Sequence, residues 1–132
     1  MPNPIACFVF VDFENVPDAE LELLSGHQVK VTVLLGKNQT KHIAAIRRRL
    51  STAKLKGRVE QMTRSSRNAL DIALAFYVGQ AVSHHPKATF AIIAQDRGYE
   101  SLIEHLHDRG ISIARYGGIS YLPFVREQKR KT

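Results

Sequence analysis

A single cysteine, Cys7, stands in a chain of 132 residues. One thiol closes no internal disulfide and builds no zinc cluster, which suits a reducing, cytoplasmic setting. No apolar run approaches the roughly 18–20 residues that cross a bilayer. No basic segment precedes the N-terminal apolar stretch, so neither a membrane span nor a secretory leader is expected. A Gly-rich phosphate loop is missing as well. The histidines (27, 42, 84, 85, 105 and 107) are scattered, and no Ser-His-Asp or Cys-His arrangement emerges. No repeat or linker divides the chain.

What the chain does carry is an ordinary globular balance with an unusual charge. Its 44% hydrophobic and 23% charged residues suit one domain with a single sizeable core. Nineteen bases against twelve acids leave a formal net charge of +7, a pointer toward polyanions such as nucleic acid. The excess is uneven. Residues 1–36 hold five acids and only Lys30, for −4; residues 37–67 hold ten bases and only Glu60, for +9; the remainder holds eight bases and six acids, for +2. The middle stretch contains Lys37, Lys41, the run Arg47-Arg48-Arg49, Lys54, Lys56, Arg58, Arg64 and Arg67. Taken alone, such a run reads as a solvated helix face.

Apolar runs alternate with apolar stripes. Residues 5–11 form a continuous β-branched and aromatic run halted by Asp12, the mark of a strand buried on both faces. Residues 88–94 repeat that pattern and stop near Asp96. Further strands are predicted at 29–35, 58–62 and 111–114. Pro17 with Asp18, Glu20 and Glu22 predicts a short acidic helix ending at Gly26. Residues 40–54 carry the stripe Ile43, Ile46, Leu50 and Ala53 of a second helix. Asn68 opens a third, with Leu70, Leu74, Tyr77, Val78 and Ala81 inward and Pro86 as its stop. Residues 99–109 form a fourth, closed by Gly110. From Tyr116 on, Gly117-Gly118, Pro123 and Lys129-Arg130-Lys131 read as a basic arm or frayed tail. The main body is thus 1–116, with 117–132 an appendage of the same domain. This alternation predicts an α/β three-layer sandwich around a central parallel five-stranded sheet. With the two most apolar strands as central neighbours and right-handed crossovers, the order is 3-2-1-4-5, a flavodoxin-like topology.

In such a sheet ligands bind beyond the carboxyl ends of the strands, where the strand order reverses. Asp12 ends the first strand and Asp96 follows the fourth, so both border that crevice. Asp71 falls in the first turn of the helix that feeds the fourth strand, and Glu100 lies one turn past Asp96. Glu14 is a further candidate. Carboxylates gathered in this way repel one another unless a cation sits among them. Mg²⁺ or Mn²⁺ takes such oxygens together with waters and phosphate oxygens, and a pair of these ions serves phosphodiester hydrolysis. Each acid also has a plainer reading: a turn residue at Asp12, the capping-box partner of Asn68 at Asp71, an ion pair with Arg97 at Asp96, a helix-dipole partner at Glu100.

Three stretches resemble a known family. Asp12-Phe13-Glu14-Asn15 after an apolar strand is similar to the Asp-x-x-Asn opening of the NYN branch of PIN-like nucleases. Asn68-Ala69-Leu70-Asp71 before an apolar helix resembles that family's second acidic position. The stretch from Phe90 through Asp96-Arg97-Gly98-Tyr99-Glu100 resembles its strand-Asp-helix signature. The likeness runs over most of residues 5–116. It implies the 3-2-1-4-5 sheet, divalent-metal binding by Asp12, Asp71 and Asp96, and cleavage of single-stranded RNA by a metal-activated water to leave a 3′-hydroxyl and a 5′-phosphate. Asn15 matches the motif's amide, which would orient Asp12 or the water, and Glu100 is a looser match as a catalytic acid. Gly98 stands where many relatives have a second Asp, and Ala94 where many have Ser or Thr.

On this reading Lys37, Lys41, Arg47, Arg48, Arg64, Arg67 and Arg97 are the expected contacts to RNA phosphates. Tyr99 and Tyr116 offer rings to unpaired bases, although Tyr99 better suits packing at a helix start. The leading expectation is a Mg²⁺- or Mn²⁺-dependent endoribonuclease. A PIN-like module that binds RNA without cutting it is the alternative, and a flavodoxin-like phosphoacceptor domain the third. An inhibitory protein partner and a homodimer are compatible with each.

Overall fold

The computed structural model describes residues 5–64 and 68–131, with side chains as far as Gln128. Strands β1 (Cys7–Asp12), β2 (Val29–Leu35), β3 (Lys56–Gln61), β4 (Thr89–Ile93) and β5 (Ser112–Tyr116) form one sheet. Every pairing is parallel, and the order is β3-β2-β1-β4-β5, as the sequence predicts. The reason is visible in burial. All six residues of β1 are buried, and so are four of the five in β4, whereas β3 at the edge is exposed over its first half.

Strand alternation sorts side chains into two cores. Val9, Val11, Val31, Val33 and Ile93 face one side. They meet Ile46 and Leu50 of α1 (Ile43–Thr52) and Leu21 and Leu24 of a 3-10 turn. Phe8, Phe10, Phe90 and Ile92 face the other. They meet Leu70, Leu74 and Val78 of α2 (Ala69–His84), and Ile103 and Leu106 of α3 (Glu100–Asp108). The result is the expected three-layer sandwich.

Three expectations change. The acidic helix after β1 is a single 3-10 turn, Leu21–Leu24. The N–H groups of Asn15 and Val16 turn back onto the Asp12 carbonyl, at 3.1 and 2.8 Å, and Ala19, Leu21 and Leu24 are then drawn into the core, so too few residues remain for a helix. The helix expected from residue 40 splits into a 3-10 segment, Lys37–His42, and α1. Gln39 leaves helical geometry there (φ −107°, ψ 19°) because its side chain accepts from the Gly36 N–H and donates to the Phe13 carbonyl.

The third change is the largest. The supposed arm or frayed tail is a 3-10 turn (Ile119–Tyr121) followed by α4 (Pro123–Lys131). Ile119, Leu122 and Val125, three residues apart, are buried in the first core, and Pro123 takes the first helical position that proline favours. The His27 ring packs against Phe124 and also meets Gln128. Three apolar residues at that spacing, diluted by polar neighbours, are too sparse a stripe to read from sequence.

Candidate functional site

Asp12 is the last residue of β1, pairing with Leu34, at the carboxyl end of the sheet. On one flank of β1 lies β2, on the other β4, so Asp12 stands where the strand order reverses. Its side chain is 4% exposed. Oδ1 accepts a hydrogen bond from the Asn15 N–H at 3.0 Å, and Oδ2 one from the Tyr99 hydroxyl at 2.9 Å. The same hydroxyl lies 3.1 Å from Asp71 Oδ1. One phenol therefore joins an acid from β1 to an acid from the first turn of α2, and those oxygens are separated by no more than the two bond lengths laid end to end.

The electrostatics follow from that closeness. Burial, more than anything else, raises Asp12 above the usual carboxyl range, and the negative charges of Asp71 and Glu14 push the same way. The hydrogen bonds from Tyr99 and Asn15 oppose the shift without cancelling it. Tyr99 is 2% exposed and its hydroxyl is held far above the ordinary phenol range, by burial first and then by the two acids. It stays a donor at any physiological pH. Asp71 is thus engaged by Tyr99 rather than by a capping box, and Asn68 makes no side-chain cap bond.

Asn15 ties the two sides of the crevice together. Its Oδ1 accepts from the N–H groups of both Gln95 and Asp96, the latter at 2.9 Å. The amide oxygen thus fixes the loop after β4, and only the backbone N–H of Asn15 reaches Asp12. Asp96 is exposed, and its Oδ1 accepts from the Gly98 N–H at 3.0 Å, closing the turn Arg97–Tyr99. A Cβ at position 98 would meet Asp96 Oδ2 at 3.3 Å, so glycine leaves room for this folded-back carboxylate. Glu100 does not join Asp12: its Oε1 is 3.0 Å from Nε of Arg115, whose Nη1 donates to the Ala94 carbonyl at 2.9 Å. Glu14 extends toward Gly36, where an added Cβ would meet its carboxylate.

The predicted cations separate. Lys37 and Lys41 lie exposed just past the carboxyl end of β2, and Arg97 lies exposed between Asp96 and Tyr99. Arg64 is exposed in the connection after β3, and Arg67 lies outside the described residues. Arg47 and Arg48 are placed apart from these. They sit on α1 and line two separate clefts, one beside Leu50 and Gly57, the other beside Glu22 and Thr52. Two groups at the site were not foreseen in these roles, the Tyr99 hydroxyl and Arg115. Tyr99, Ile103 and Leu106 keep the i, i+4, i+7 spacing of an inward stripe, and that is the signal that places the ring under the crevice.

Among the described residues, no group of three or more His, Cys, Asp or Glu side chains is gathered tightly enough to hold a metal ion. Asp12 and Asp71 nevertheless supply the donor set that Mg²⁺ and Mn²⁺ take, hard oxygens from one or two carboxylates with room left for water and phosphate. The charges acting on Asp12 are both negative, which a divalent cation would offset. The described residues include no helix long and apolar enough to cross a membrane. Comparison with curated proteins and with solved structures gave no significant match. A family model described as PIN domain matches residues 6–116, well over half of the chain and the whole of the sheet that carries these acids. Proteins of that family are typically metal-dependent nucleases. The chain belongs to the PIN domain family.

Proposed function

We propose that this chain is an endoribonuclease of the NYN-type branch that cleaves single-stranded RNA with Mg²⁺ or Mn²⁺ in the cytoplasm. The observation that carries the reading is Asp12: an almost fully buried carboxyl, raised above its usual range, sharing one hydroxyl with Asp71 at the reversal point of the sheet. Groups perturbed in this way by burial plus a like-charged neighbour concentrate at functional sites. Cys7 takes no part. It is buried at 5% exposure and its thiol is pushed up to about 12, so it is unreactive.

Asp12 and Asp71 would hold the ion, with Asp96 as the third ligand position at the crevice mouth. When bound, such an ion polarises the scissile phosphodiester and offsets the carboxylate charge. The chain's own residues do the rest. Asn15 sets the depth of the Asp96 loop against β1. Tyr99 keeps the Asp12 and Asp71 carboxylates in register through one shared donor. Lys37 and Lys41, and Arg97 on the other rim, stand where phosphates flanking the scissile bond would pass.

The test is cleavage of an unstructured RNA in Mn²⁺ by the wild type and by Asp12→Asn and Asp96→Asn. Loss of cleavage in both variants, with melting temperatures retained, supports the reading; full activity in both overturns it. One set of contacts favours a second reading, an RNA-binding module that does not cut: Asp96 is turned onto Gly98, and Glu100 is held by Arg115. That reading expects salt-sensitive RNA binding unaffected by EDTA, and no cleavage by the wild type.

A further inference from the structure

The α2 face of the sheet is incompletely covered. α2 lies over β1 and part of β2 and α3 over β5, and beside α2 a cleft of about 160 Å³ opens over the starts of β1 and β2 toward β3. Its floor is Phe8, Phe10 and Thr32, and its walls carry Lys30 and Arg58 from the strands and Tyr77, Gln80 and His84 from α2. None of the residues lining it is acidic. Among the described residues, Lys30 and Arg58 enter no ion pair. Glu60, next on the same face of β3, is hydrogen-bonded by the Tyr77 hydroxyl. The volume is below the roughly 300–1,000 Å³ of sites that enclose a whole small ligand. It suits one anionic group of a longer molecule.

A second oddity adjoins the cleft. α2 is apolar on its outer face as well as its inner one: Ile72 is 68% exposed and Phe76 60%. The Phe76 ring stands edge-on to Tyr77, with centroids 5.0 Å apart, and the Arg58 guanidinium lies 4.5 Å over the Tyr77 ring on the cleft side. Cations lining a groove beside an exposed aromatic ring are what a single nucleic-acid strand needs, phosphates on the cations and a base on the ring.

The placement matches the crevice. α2 starts at the acids and runs back over the sheet, so Phe76 lies five residues, about 7.5 Å of helical rise, from Asp71. Arg58 is in register with Thr32, and Thr32 with Phe10, two residues or about 6.6 Å of strand before Asp12. We propose that the α2–β3 cleft is a second contact site for the RNA strand, holding a phosphate between Lys30 and Arg58 with a base on Phe76. The strand cut at Asp12 thus continues down α2. This rests on the proposed single-stranded RNA substrate, and it moves part of the phosphate binding from α1 to the opposite face of the sheet.

The experiment is fluorescence anisotropy of a labelled ten-nucleotide oligouridylate with the full chain in EDTA, titrated at several NaCl concentrations. Lys30→Gln and Arg58→Gln should each weaken binding and lower the slope of log K against log salt by about 0.7. Phe76→Ala should weaken binding about five- to tenfold, and Phe76→Trp should retain it. Arg109→Gln removes an equal charge at the end of α3, far from the cleft, and should have little effect. Lys30 and Phe76 are exposed, so these variants should keep their melting temperatures. Unchanged affinity and slope in Lys30→Gln and Arg58→Gln, or losses no larger than in Arg109→Gln, overturn the proposal. Cleavage in Mn²⁺ is followed in parallel. A protein that cuts RNA while the cleft variants bind normally overturns the cleft alone; one that binds through the cleft without cutting overturns the nuclease alone.

Discussion

Asp12 and Tyr99 are separated by 87 positions in the chain and meet through one hydrogen bond, with Asp71 on the same hydroxyl. Arg47, Arg48 and Arg49 are consecutive, and the fold splits them: Arg47 lines a cleft beside Leu50 and Gly57, while Arg48 and Arg49 line another beside Glu22, where Arg49 alone bonds Glu22 and Ala19. The contrast has a geometric cause. A parallel sheet collects strand ends and helix starts on one edge, so residues distant in sequence converge there. A helix turns by about 100° per residue, so neighbours in sequence diverge. A block of charge in a sequence therefore says less about a site than single charges placed at strand ends.

The sharpest way to break this contrast is at the acids. Asp12→Asn and Asp96→Asn should each lower RNA cleavage by about a thousandfold or more, as loss of groups that hold a catalytic ion does. Circular dichroism and thermal melting should show the fold intact. At position 12 the introduced amide can still accept from the Asn15 N–H and can donate to the Tyr99 oxygen, whose proton then turns to Asp71. An activity loss there with a folded protein isolates chemistry from structure. If chelation leaves wild-type cleavage unchanged, the acids are structural and the contrast loses its functional meaning.

A smaller effect is expected at Asn15. Asn15→Ala leaves the Gln95 and Asp96 N–H groups without their shared acceptor. Stability should fall by about 1–2 kcal/mol in urea denaturation. Cleavage should fall about ten- to a hundredfold because Asp96 loses its placement, and Asn15→Asp, which keeps the acceptor, should recover part of it. Equal cleavage by wild type and Asn15→Ala would show that the Asp96 loop is positioned by other contacts.

These particulars show what was legible. The sheet order followed from two fully apolar runs, and the placement of Asp12 at a strand end and Asp71 at a helix start followed from where those runs and stripes begin and end, whereas the turn of the Asp96 carboxylate onto Gly98 did not. Tyr99 was visible as a packing residue at a helix start, but its hydroxyl's two partners lie on other elements, and no local pattern encodes them. The same holds for Arg115, which takes Glu100 out of the group. α4 escaped because its buried residues are few and its surroundings polar, although Pro123 marked its start. Side-chain direction on α1 was the chief loss: a stripe says which residues face inward, and leaves the destinations of the outward ones open.

Acidity offers a test at the level of stability. Asp12 titrates above its ordinary value of 3.8 in the folded state, so the fold binds that proton more tightly than the unfolded chain does. Its contribution is fully present below the ordinary value and is lost as pH rises through the elevated one. In EDTA, the melting temperature of the wild type relative to Asp12→Asn should therefore fall as pH climbs from 4 toward neutrality. A difference that is flat with pH would mean that Asp12 is not raised by burial and its acidic neighbours.

The smallest effects belong to the arginine run, and they separate its members. Arg49 makes two hydrogen bonds to Glu22, at 2.6 and 3.0 Å, and a third to the Ala19 carbonyl at 2.6 Å. Exposed pairs contribute about 0–1 kcal/mol, and both partners here are partly exposed, so the bidentate geometry places Arg49→Ala near the top of that range in urea denaturation. The carbonyl contact matters more than the charge, because it pins the turn that replaced the expected acidic helix. Arg49→Lys keeps the charge and loses the fork, so it should recover little. Arg47→Gln and Arg48→Gln should leave stability unchanged and weaken oligouridylate binding less than twofold at physiological salt, since α1 lies on the far face from the α2–β3 cleft. A binding loss at Arg47 or Arg48 as large as at Lys30, which lines the α2–β3 cleft and not the one beside Arg47, would put the RNA on the α1 face and reverse the assignment of the two surfaces.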